Sequence, residues 1–179
     1  ETKELLAKFQ PKQFKIIEAE PQISSARFSP CGKVLVAGGY DAKIRRWNFQ
    51  TEEFTELPSL EGHHGWIEGF AFSPGGEQLF SGDSWGKLVC WNEITGEKAT
   101  EKWQTEKAHD GWIRELSLSP DGQLLATVAT DHKLKIWSTA DGSLKHELPI
   151  VEDPRAVRFH PDGSLFVGDA KGIVHWLKL

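Results

Sequence analysis

Short apolar runs alternate with turn residues along this chain. The runs "KVLVAGG", "EQLFSG", "QLLATVA" and "SLFVG" each follow a Ser-Pro or His-Pro pair and a glycine. Proline fixes φ and glycine accepts positive φ, so these pairs predict tight turns. After a second short turn come the alternating runs "KIRRWN", "KLVCWN", "KLKIWS" and "IVHWLK". A side-chain period of two is typical of β-strands, and the pattern therefore predicts an all-β protein.

The pattern occurs four times. The apolar residues before each first turn, Phe28, Phe72, Leu118 and Phe159, are 44, 46 and 41 residues apart. Periods of this length indicate propellers or solenoids. Three repeats continue with a polar run, "EFTELPSLEG", "EKATEKWQTEK" or "SLKHELPI". A polar strand beside three apolar strands favours an exposed outer edge, so each repeat is predicted to form a four-stranded sheet.

These residues resemble the WD-repeat β-propeller family. The family has four antiparallel strands in each blade, a Gly-His pair before the first strand and a Trp-Asp pair that closes the third. Gly62-His63 matches the first pair, and Ala108-His109 matches it with alanine in place of glycine. The closing pair departs from the family pattern after the tryptophan and reads Trp47-Asn48, Trp91-Asn92, Trp137-Ser138 and Trp176-Leu177.

The resemblance implies a propeller with four blades in the chain, the last of which is completed by the N-terminal strand. Alignment of the repeats gives an N-terminal extension at 1–13, a closing outer strand at 14–20, blade one at 23–62, blade two at 63–108, blade three at 109–150, and the first three strands of blade four at 151–179.

Three assemblies are compatible with this arrangement of strands. Residues 14–20 could pair with 173–179 of the same chain in a four-bladed ring. Two chains could instead exchange these strands in an eight-bladed ring, or the sequence could be a piece of a longer protein, which the absence of methionine supports. Each ring protects a sheet edge that would otherwise recruit other chains. We favour the two-chain ring, since four blades require strong curvature.

The resemblance also implies a buried hydrogen-bonded chain in each blade, made by a histidine, a serine or threonine, an aspartate and the closing tryptophan. Repeat three carries the full set, and the others carry parts of it. The predicted network residues are His109, Thr127, Asp131, Trp137, His63, Ser81, Trp91, Asp41 and Trp47. In the alignment, Trp85 replaces the aspartate of repeat two, and repeat four keeps only Trp176, with Ala170 in the aspartate position. Blades one and four are therefore expected to depend mainly on apolar packing.

The composition and the absence of known motifs reduce the number of functions that the sequence supports. The net charge of −5 argues against a general nucleic-acid binder, and no apolar run is long enough to span a bilayer. The two cysteines, interpreted as unpaired, are compatible with a reducing compartment such as the cytoplasm, although the compartment stays open. His63 and His64 are adjacent in an extended segment and point apart, which disfavours a shared metal. Without a catalytic motif, a cofactor loop or a metal motif, we expect no enzyme activity, cofactor or metal.

The resemblance implies a rigid scaffold that binds a protein or peptide on the rim around a central channel. The candidate partner-binding residues are Tyr40, His64, Trp66, Trp85 and Trp112. Trp66 and Trp112 could alternatively seal neighbouring blades, because tryptophan is frequent both in cores and in interaction hot spots. The second candidate function is a regulatory or architectural module of a larger multidomain protein. Charged residues near the inner strands, Arg27, Glu68, Arg114, Arg155 and Arg158, are explained by paired charges along a wet channel.

Overall fold

The computed structural model describes residues 22–49 and 55–178, which form consecutive antiparallel β-sheets. The first sheet contains β1 (Ile23–Phe28), β2 (Val34–Gly39), β3 (Ile44–Asn48) and β4 (Thr55–Leu60). The second contains β5 (Ile67–Phe72), β6 (Leu79–Asp83), β7 (Leu88–Asn92) and β8 (Thr100–Thr105). The third contains β9 (Ile113–Leu118), β10 (Leu124–Ala129), β11 (Lys133–Ser138) and β12 (Leu144–Pro149). The fourth contains β13 (Pro154–Phe159), β14 (Leu165–Asp169) and β15 (Val174–Leu177).

Each sheet is a meander in which strands that follow one another in sequence are paired. The turn after β9 shows why. The N–H of Gly122 donates to the carbonyl of Ser119 at 2.8 Å, and Gly122 has a φ of 72°, a value that glycine adopts without strain. The Ser119 hydroxyl also accepts the N–H of Leu124 at 2.9 Å, which fixes the start of β10. The predicted all-β fold of successive sheets is confirmed.

The core lies between the sheets, in three separate layers. Val36, Phe70 and Trp91 belong to the layer between the first and second sheets. Phe80 and Leu116 belong to the next layer, and the third joins β10 and β11 to β13 and β14. Each middle sheet therefore buries both of its faces, and the inner strands β1, β5, β9 and β13 pack against one another in chain order.

One buried cation joins the first two sheets. The Arg46 side chain on β3 is almost fully buried, and its guanidinium donates to the carbonyl oxygens of Pro58, Ile94 and Gly96 at 2.7 to 2.9 Å. A buried charge without partners would be costly, and here the carbonyl groups of two sheets satisfy it. Arg46 therefore fixes the third strand of sheet one against the loop after β7.

The outermost strands are polar, as the sequence predicts. All six residues of β12 are exposed, and β8 is exposed apart from the half-buried Trp103 and Thr105. Trp103 covers the second layer, and its Nε1 donates to the carbonyl of Thr139 at 3.0 Å. No helix in the described ranges has the length and apolar character needed to cross a membrane. The predicted closing strand at 14–20 and the extension at 1–13 lie outside the described residues.

The register of the fourth sheet corrects the alignment of Trp176. In the first three sheets the closing tryptophan pairs with a leucine of the second strand, as Trp137 pairs with Leu125. In the fourth sheet the equivalent leucine, Leu165, pairs with Leu177, which packs into the third layer. Trp176 therefore points to the opposite face, where 66% of its surface is exposed. The assignment of Trp176 as a closing tryptophan was wrong by one residue.

Candidate functional site

The third sheet contains a continuous chain of buried hydrogen bonds. Trp137 Nε1 donates to Thr127 Oγ1 at 2.8 Å, and Thr127 Oγ1 lies 2.7 Å from His109 Nε2. His109 Nδ1 lies 2.9 Å from Asp131 Oδ2. Asp131 also accepts the backbone N–H groups of Asp110 and Lys133. The chain thus ties the segment before β9 to the turn between β10 and β11, and so fixes the edge of the sheet from which Trp112 projects.

The hydrogen bonds determine the tautomer of His109. Because the indole N–H can only donate, Thr127 Oγ1 accepts from Trp137 and donates its own proton to Nε2. The Nδ1 atom then carries the proton that His109 donates to Asp131. Burial lowers the pKa of His109, and this effect outweighs the opposing effect of Asp131. The donors and acceptors of this four-residue hydrogen-bond network are all satisfied when His109 is neutral and Asp131 is ionised.

The second sheet contains a similar chain with its carboxylate in another place. His63 Nε2 lies 2.7 Å from Ser81 Oγ, which accepts Trp91 Nε1 at 2.8 Å. His63 Nδ1 lies 3.0 Å from Asp83 Oδ2, and Asp83 is fully buried. Asp83 thus supplies the carboxylate that the alignment assigned to a position held by Trp85. The signal in the sequence was that Asp83 stands only two residues before Trp85, at the end of β6.

Asp83 is the most heavily bonded carboxylate of the described residues. It accepts four backbone N–H groups in addition to the histidine, and these belong to His64, Gly65, Trp85 and Lys87. Burial by itself raises the pKa of Asp83, but the hydrogen bond and charge of His63 and the backbone donors outweigh it and lower the pKa to about 2. Asp83 therefore holds two loops together as a permanently ionised group near neutral pH.

The first sheet has a different polar arrangement. Asp41 accepts Arg45 Nη2 at 2.8 Å, and the side chains of this pair, 19% and 13% exposed, tie the turn between β2 and β3 to β3. Trp47 is buried, but Ala37 occupies the position that a hydroxyl residue holds in the next two sheets. Sheet one thus has an ion pair at the turn, and Ala37 offers the buried Trp47 no hydroxyl group.

The fourth sheet also contains a buried aspartate, Asp169, one residue before the Ala170 that the alignment assigned to the aspartate position. Asp169 Oδ1 accepts the N–H groups of Lys171 and Ile173 at 2.9 and 3.0 Å, the same pattern that Asp83 makes with residues two and four positions later. Its Oδ2 atom lies 3.0 Å from His175 Nε2 on β15. Ala170, assigned to the aspartate position, instead donates its N–H to the carbonyl of Asp153. Asp169 therefore corresponds to Asp83.

The turns and the segments before the inner strands are joined by a repeated backbone pairing. Trp66 N–H donates to Ser84 Oγ at 3.0 Å, and Ser84 N–H donates to the Trp66 carbonyl at 2.8 Å. Trp112 and Thr130 form the same pair of bonds at 2.9 and 3.0 Å. The backbone around both tryptophans is thereby fixed, so their rings project from rigid positions at the rim.

Three of the predicted rim residues form one aromatic row. The ring centroids of Tyr40 and Trp66 are 4.5 Å apart at 71°, and those of Trp66 and Trp112 are 5.6 Å apart at 76°. Edge-to-face geometry of this kind is a favourable arrangement of aromatic rings. The row crosses from the first sheet to the third, with Trp66 at its centre. Trp66 nevertheless leaves 43% of its surface exposed. Its ring therefore contacts the neighbouring sheets and also faces solvent.

Two predicted rim residues lie apart from the aromatic row. Trp85 is largely exposed and packs against the backbone of Gly65, where an added Cβ would approach Trp85 Cδ1 to 2.6 Å. Within the described ranges it makes no ring contact with the row. His64 is exposed, and its Nε2 lies 3.4 Å from Glu106 Oε2. Both residues are on the loops at this rim, but the structure does not bring them into the row of Tyr40, Trp66 and Trp112.

Arg114, which the sequence placed among the paired charges near the inner strands, also extends the aromatic row. The guanidinium of Arg114 lies 4.2 Å from the ring centroid of Trp112, a cation–π contact. It is also 3.6 Å from Glu68 Oε2. Arg114 stands where the pairing of β9 with β10 is irregular, and Glu68 has the equivalent place on β5. Bulges redirect side chains, so the Arg114 side chain turns toward Trp112. The signal in the sequence was an arginine at the start of an inner strand, two residues after a tryptophan.

Comparison with known families identifies the class. The family described as "WD domain, G-beta repeat" matches residues 12–48, 54–92 and 101–138, which together make up more than half of the chain. The chain belongs to the WD-repeat family. Its sheets, their meander topology and the histidine–hydroxyl–tryptophan bonds of sheets two and three are the structural counterparts of this match.

Several characterised proteins are similar to part of the chain. The "Serine-threonine kinase receptor-associated protein" of Gallus gallus is 41% identical over 86 residues, which are 48% of this chain and 24% of the relative. The "WD repeat and FYVE domain-containing protein 2" of Caenorhabditis elegans is 32% identical over 83 residues, 46% of this chain and 20% of the relative. The "Small ribosomal subunit protein RACK1y" of Oryza sativa subsp. japonica is 31% identical over 77 residues, which are 42% of this chain and 22% of the relative. The matches span about a quarter or less of these relatives.

Proposed function

We propose that this chain is a non-catalytic scaffold that binds a protein or peptide at the aromatic row of Tyr40, Trp66 and Trp112. The observation that carries the proposal is that three rings from three successive sheets are in contact and yet keep Trp66 substantially exposed. Tyrosine and tryptophan are enriched among the residues that dominate binding energy, because they bury a large area with little loss of conformational freedom.

The rigidity of the row supports the proposal. The Trp66 and Trp112 backbones are each held by two hydrogen bonds to the neighbouring turn. A partner that packs on these rings therefore does not have to order them first, and less of the interaction energy is lost to entropy. The ends of the row differ chemically: Tyr40 carries a hydroxyl, and Trp112 lies under the Arg114 guanidinium.

The relatives support a binding role. One relative is named for association with a serine-threonine kinase receptor, and another is named as a small ribosomal subunit protein. Both names describe association with other macromolecules. By extension we assign this chain to the same broad class and leave the identity of its partner open.

A regulatory or architectural module within a larger protein is the second candidate. The name of one relative combines WD repeats with a FYVE domain, and the matches cover a minor part of each relative. The size of the native protein, measured with an antibody to this chain in its source cells, distinguishes the two. A native species well above 20.1 kDa under denaturing conditions favours the module, and one at that mass favours the independent scaffold.

We also propose that the binding form is an eight-bladed ring of two chains. The supporting observation is a face of the fourth sheet that no other described sheet covers, where Phe166 and Trp176 stack at 6.5 Å and Val174 is exposed. In the other three sheets the next sheet covers this face. Phe28, at the far end of the molecule, is exposed as well and offers an apolar contact on a second copy. Light scattering tests the ring: about 40 kDa, twice the chain mass, supports it, and 20.1 kDa contradicts it.

The rim proposal is tested by selecting a binding peptide from a random display library and measuring its affinity for variants. Trp66→Ala is expected to weaken binding by at least about tenfold, or about 1.4 kcal/mol. Leu144→Ala is the control, since it also removes an apolar side chain of similar exposure but lies on the outer strand β12, away from the rim. Equal affinity of Trp66→Ala and the parent chain, with both folded, would remove the rim as the binding site.

A further inference from the structure

The six arginines of the chain differ in how their charges are balanced. Arg45 pairs with Asp41, Arg114 with Glu68 and Arg155 with Asp153. Arg46 is buried among carbonyl oxygens. The remaining two, Arg27 and Arg158, both approach one oxygen of the same carboxylate, Glu115 Oε1. This cluster therefore contains two guanidinium groups and one carboxylate.

The three residues come from three different sheets. Arg27 is on β1, Glu115 on β9 and Arg158 on β13, and the Arg27 Nη2 and Arg158 Nη1 atoms lie 3.7 and 3.1 Å from Glu115 Oε1. Because β5 lies between β1 and β9 in the packing order, Arg27 can reach Glu115 only across the inner side of the arc. The cluster is thus on the surface lined by the inner strands.

Small side chains on the two middle inner strands leave space for Arg27 and Arg158 to approach Glu115. Register with the second strands places Arg27, Ala71, Ser117 and Arg158 at equivalent positions of the four inner strands. The two middle sheets therefore carry small side chains where the outer two carry arginine. Ser117 Oγ accepts the N–H of Phe159, which holds β13 against β9 and so brings Arg158 next to Glu115.

The positive groups face solvent, and the carboxylate lies behind them. The side chains of Arg27 and Arg158 are 47% and 56% exposed, whereas that of Glu115 is 17% exposed. One nitrogen of each guanidinium also donates to a neighbouring carbonyl, Arg27 to Ala26 and Arg158 to Val157. These bonds hold both groups in place with further donors available, since a guanidinium has five N–H groups.

We propose that Arg27 and Arg158 form a binding site for an oxyanion, a carboxylate or a phosphate group, on the inner surface of the sheets. Guanidinium groups bind these anions through paired, charge-assisted hydrogen bonds, and an anion would balance the excess charge that Glu115 leaves. The site is separate from the aromatic row and does not depend on the proposed rim function. The anion comes either from an acidic segment of a partner or from free phosphate.

The experiment is calorimetric titration of the full chain with two probes, inorganic phosphate and the capped peptide acetyl-Glu-Glu-Glu-amide. Binding of the peptide alone assigns the site to acidic protein segments, and binding of phosphate alone assigns it to phosphate groups. Binding of both supports a general oxyanion site. Arg27→Gln and Arg158→Gln are each expected to weaken the binding by at least about tenfold. Binding of neither probe at low ionic strength overturns the proposal.

Two further variants separate a specific site from general attraction and from loss of structure. Arg155→Gln removes an arginine of similar exposure, 52%, that has its own partner in Asp153. It is expected to change the affinity by less than about twofold. Glu115→Gln removes the competing carboxylate and is expected to tighten anion binding by about threefold or more. Weakening by Arg155→Gln equal to that by Arg158→Gln, or weaker binding by Glu115→Gln, would contradict the site.

Discussion

Sheets two and three differ from sheets one and four in how their closing residues are held. In the middle sheets the indole N–H of Trp91 or Trp137 donates to a buried hydroxyl, which a histidine and a carboxylate support in turn. In sheet one Ala37 replaces the hydroxyl residue, and in sheet four Leu177 replaces the tryptophan. The histidine–hydroxyl–tryptophan bonds thus stand in the two sheets that are covered on both faces, whereas sheet one has the Asp41–Arg45 pair and sheet four the Asp169–His175 contact.

The difference shows what the polar chain contributes. A fully satisfied buried network fixes one geometry, because any displacement leaves a donor or acceptor without a partner. The middle sheets carry Trp66 and Trp112, whose positions depend on the loops that His63 and His109 anchor. The aromatic row is therefore positioned chiefly by the two sheets that contain the networks.

The largest difference in stability is expected between alanine variants of a buried, hydrogen-bonded tryptophan and of an exposed one. Trp137→Ala is expected to lower the free energy of unfolding by about 3–5 kcal/mol, because it leaves a cavity and removes the hydrogen bond that the buried Thr127 hydroxyl accepts. Trp176→Ala, on the exposed face, is expected to change it by less than about 0.5 kcal/mol in the monomer. Urea unfolding measures both values. A similar loss in the two variants would mean that the fourth sheet is covered in solution.

Removal of the central carboxylate of sheet two has the next largest expected effect. Asp83→Ala leaves His63 and four backbone N–H groups without their acceptor, and we expect a loss of about 3 kcal/mol. The matched variant Asp131→Ala is expected to cost about 1–3 kcal/mol, because Asp131 accepts from fewer backbone groups. Thermal and urea unfolding check the order, which a larger loss for Asp131→Ala would contradict.

Low pH is expected to weaken the hydrogen bonds that Asp83 accepts. The pKa of Asp83 is about 2 in the folded protein and near the ordinary value of 3.8 in the unfolded chain, so the unfolded chain binds more protons as the pH falls. The contribution of Asp83 is complete above about pH 5 and is lost toward pH 2, and it amounts to about 2 kcal/mol. Asp83→Asn is expected to unfold with a correspondingly smaller dependence on pH over this interval, as urea titrations at pH 7 and pH 3 would measure.

The smallest expected effect belongs to the ion pair of sheet one. Asp41→Ala removes a partly buried ion pair with Arg45 beside the turn, and a single pair of this kind is expected to contribute about 1 kcal/mol. High salt should reduce the difference between this variant and the parent chain. Urea unfolding at low and high salt tests it, and a loss as large as that of Asp83→Ala would place Asp41 in a buried network.

The sequence allowed the sheets and the full set of sheet three to be predicted, because strand alternation, turn residues and the His109 to Trp137 spacing all agree there. The errors in sheet four arose from counting positions back from Trp176, which is not the closing residue of that sheet. The residues with positive φ at the second turns, Ala42, Gly86, His132 and Gly172, are better markers. The closing residue follows each of them by five positions and is Leu177 in sheet four.

Two features could not be read from the spacing of the repeats. Asp83 reaches His63 from the end of β6 because a carboxylate that accepts several turn N–H groups can stand at more than one position of a turn. The cluster of Arg27, Glu115 and Arg158 depends on side chains from three sheets, and only the packing of the inner strands brings them together. Contacts between sheets need the fold, whereas contacts within a repeat follow from its pattern.

Hydrogen exchange of the tryptophan indole N–H groups, followed by NMR, tests most directly whether the polar chains lock the middle sheets. The Nε1 protons of Trp91 and Trp137 are buried and bonded to Ser81 and Thr127, so they are expected to exchange only on global unfolding. The exposed indole of Trp85 is expected to exchange within the dead time. Fast exchange at Trp91 and Trp137 in the folded protein would contradict the account.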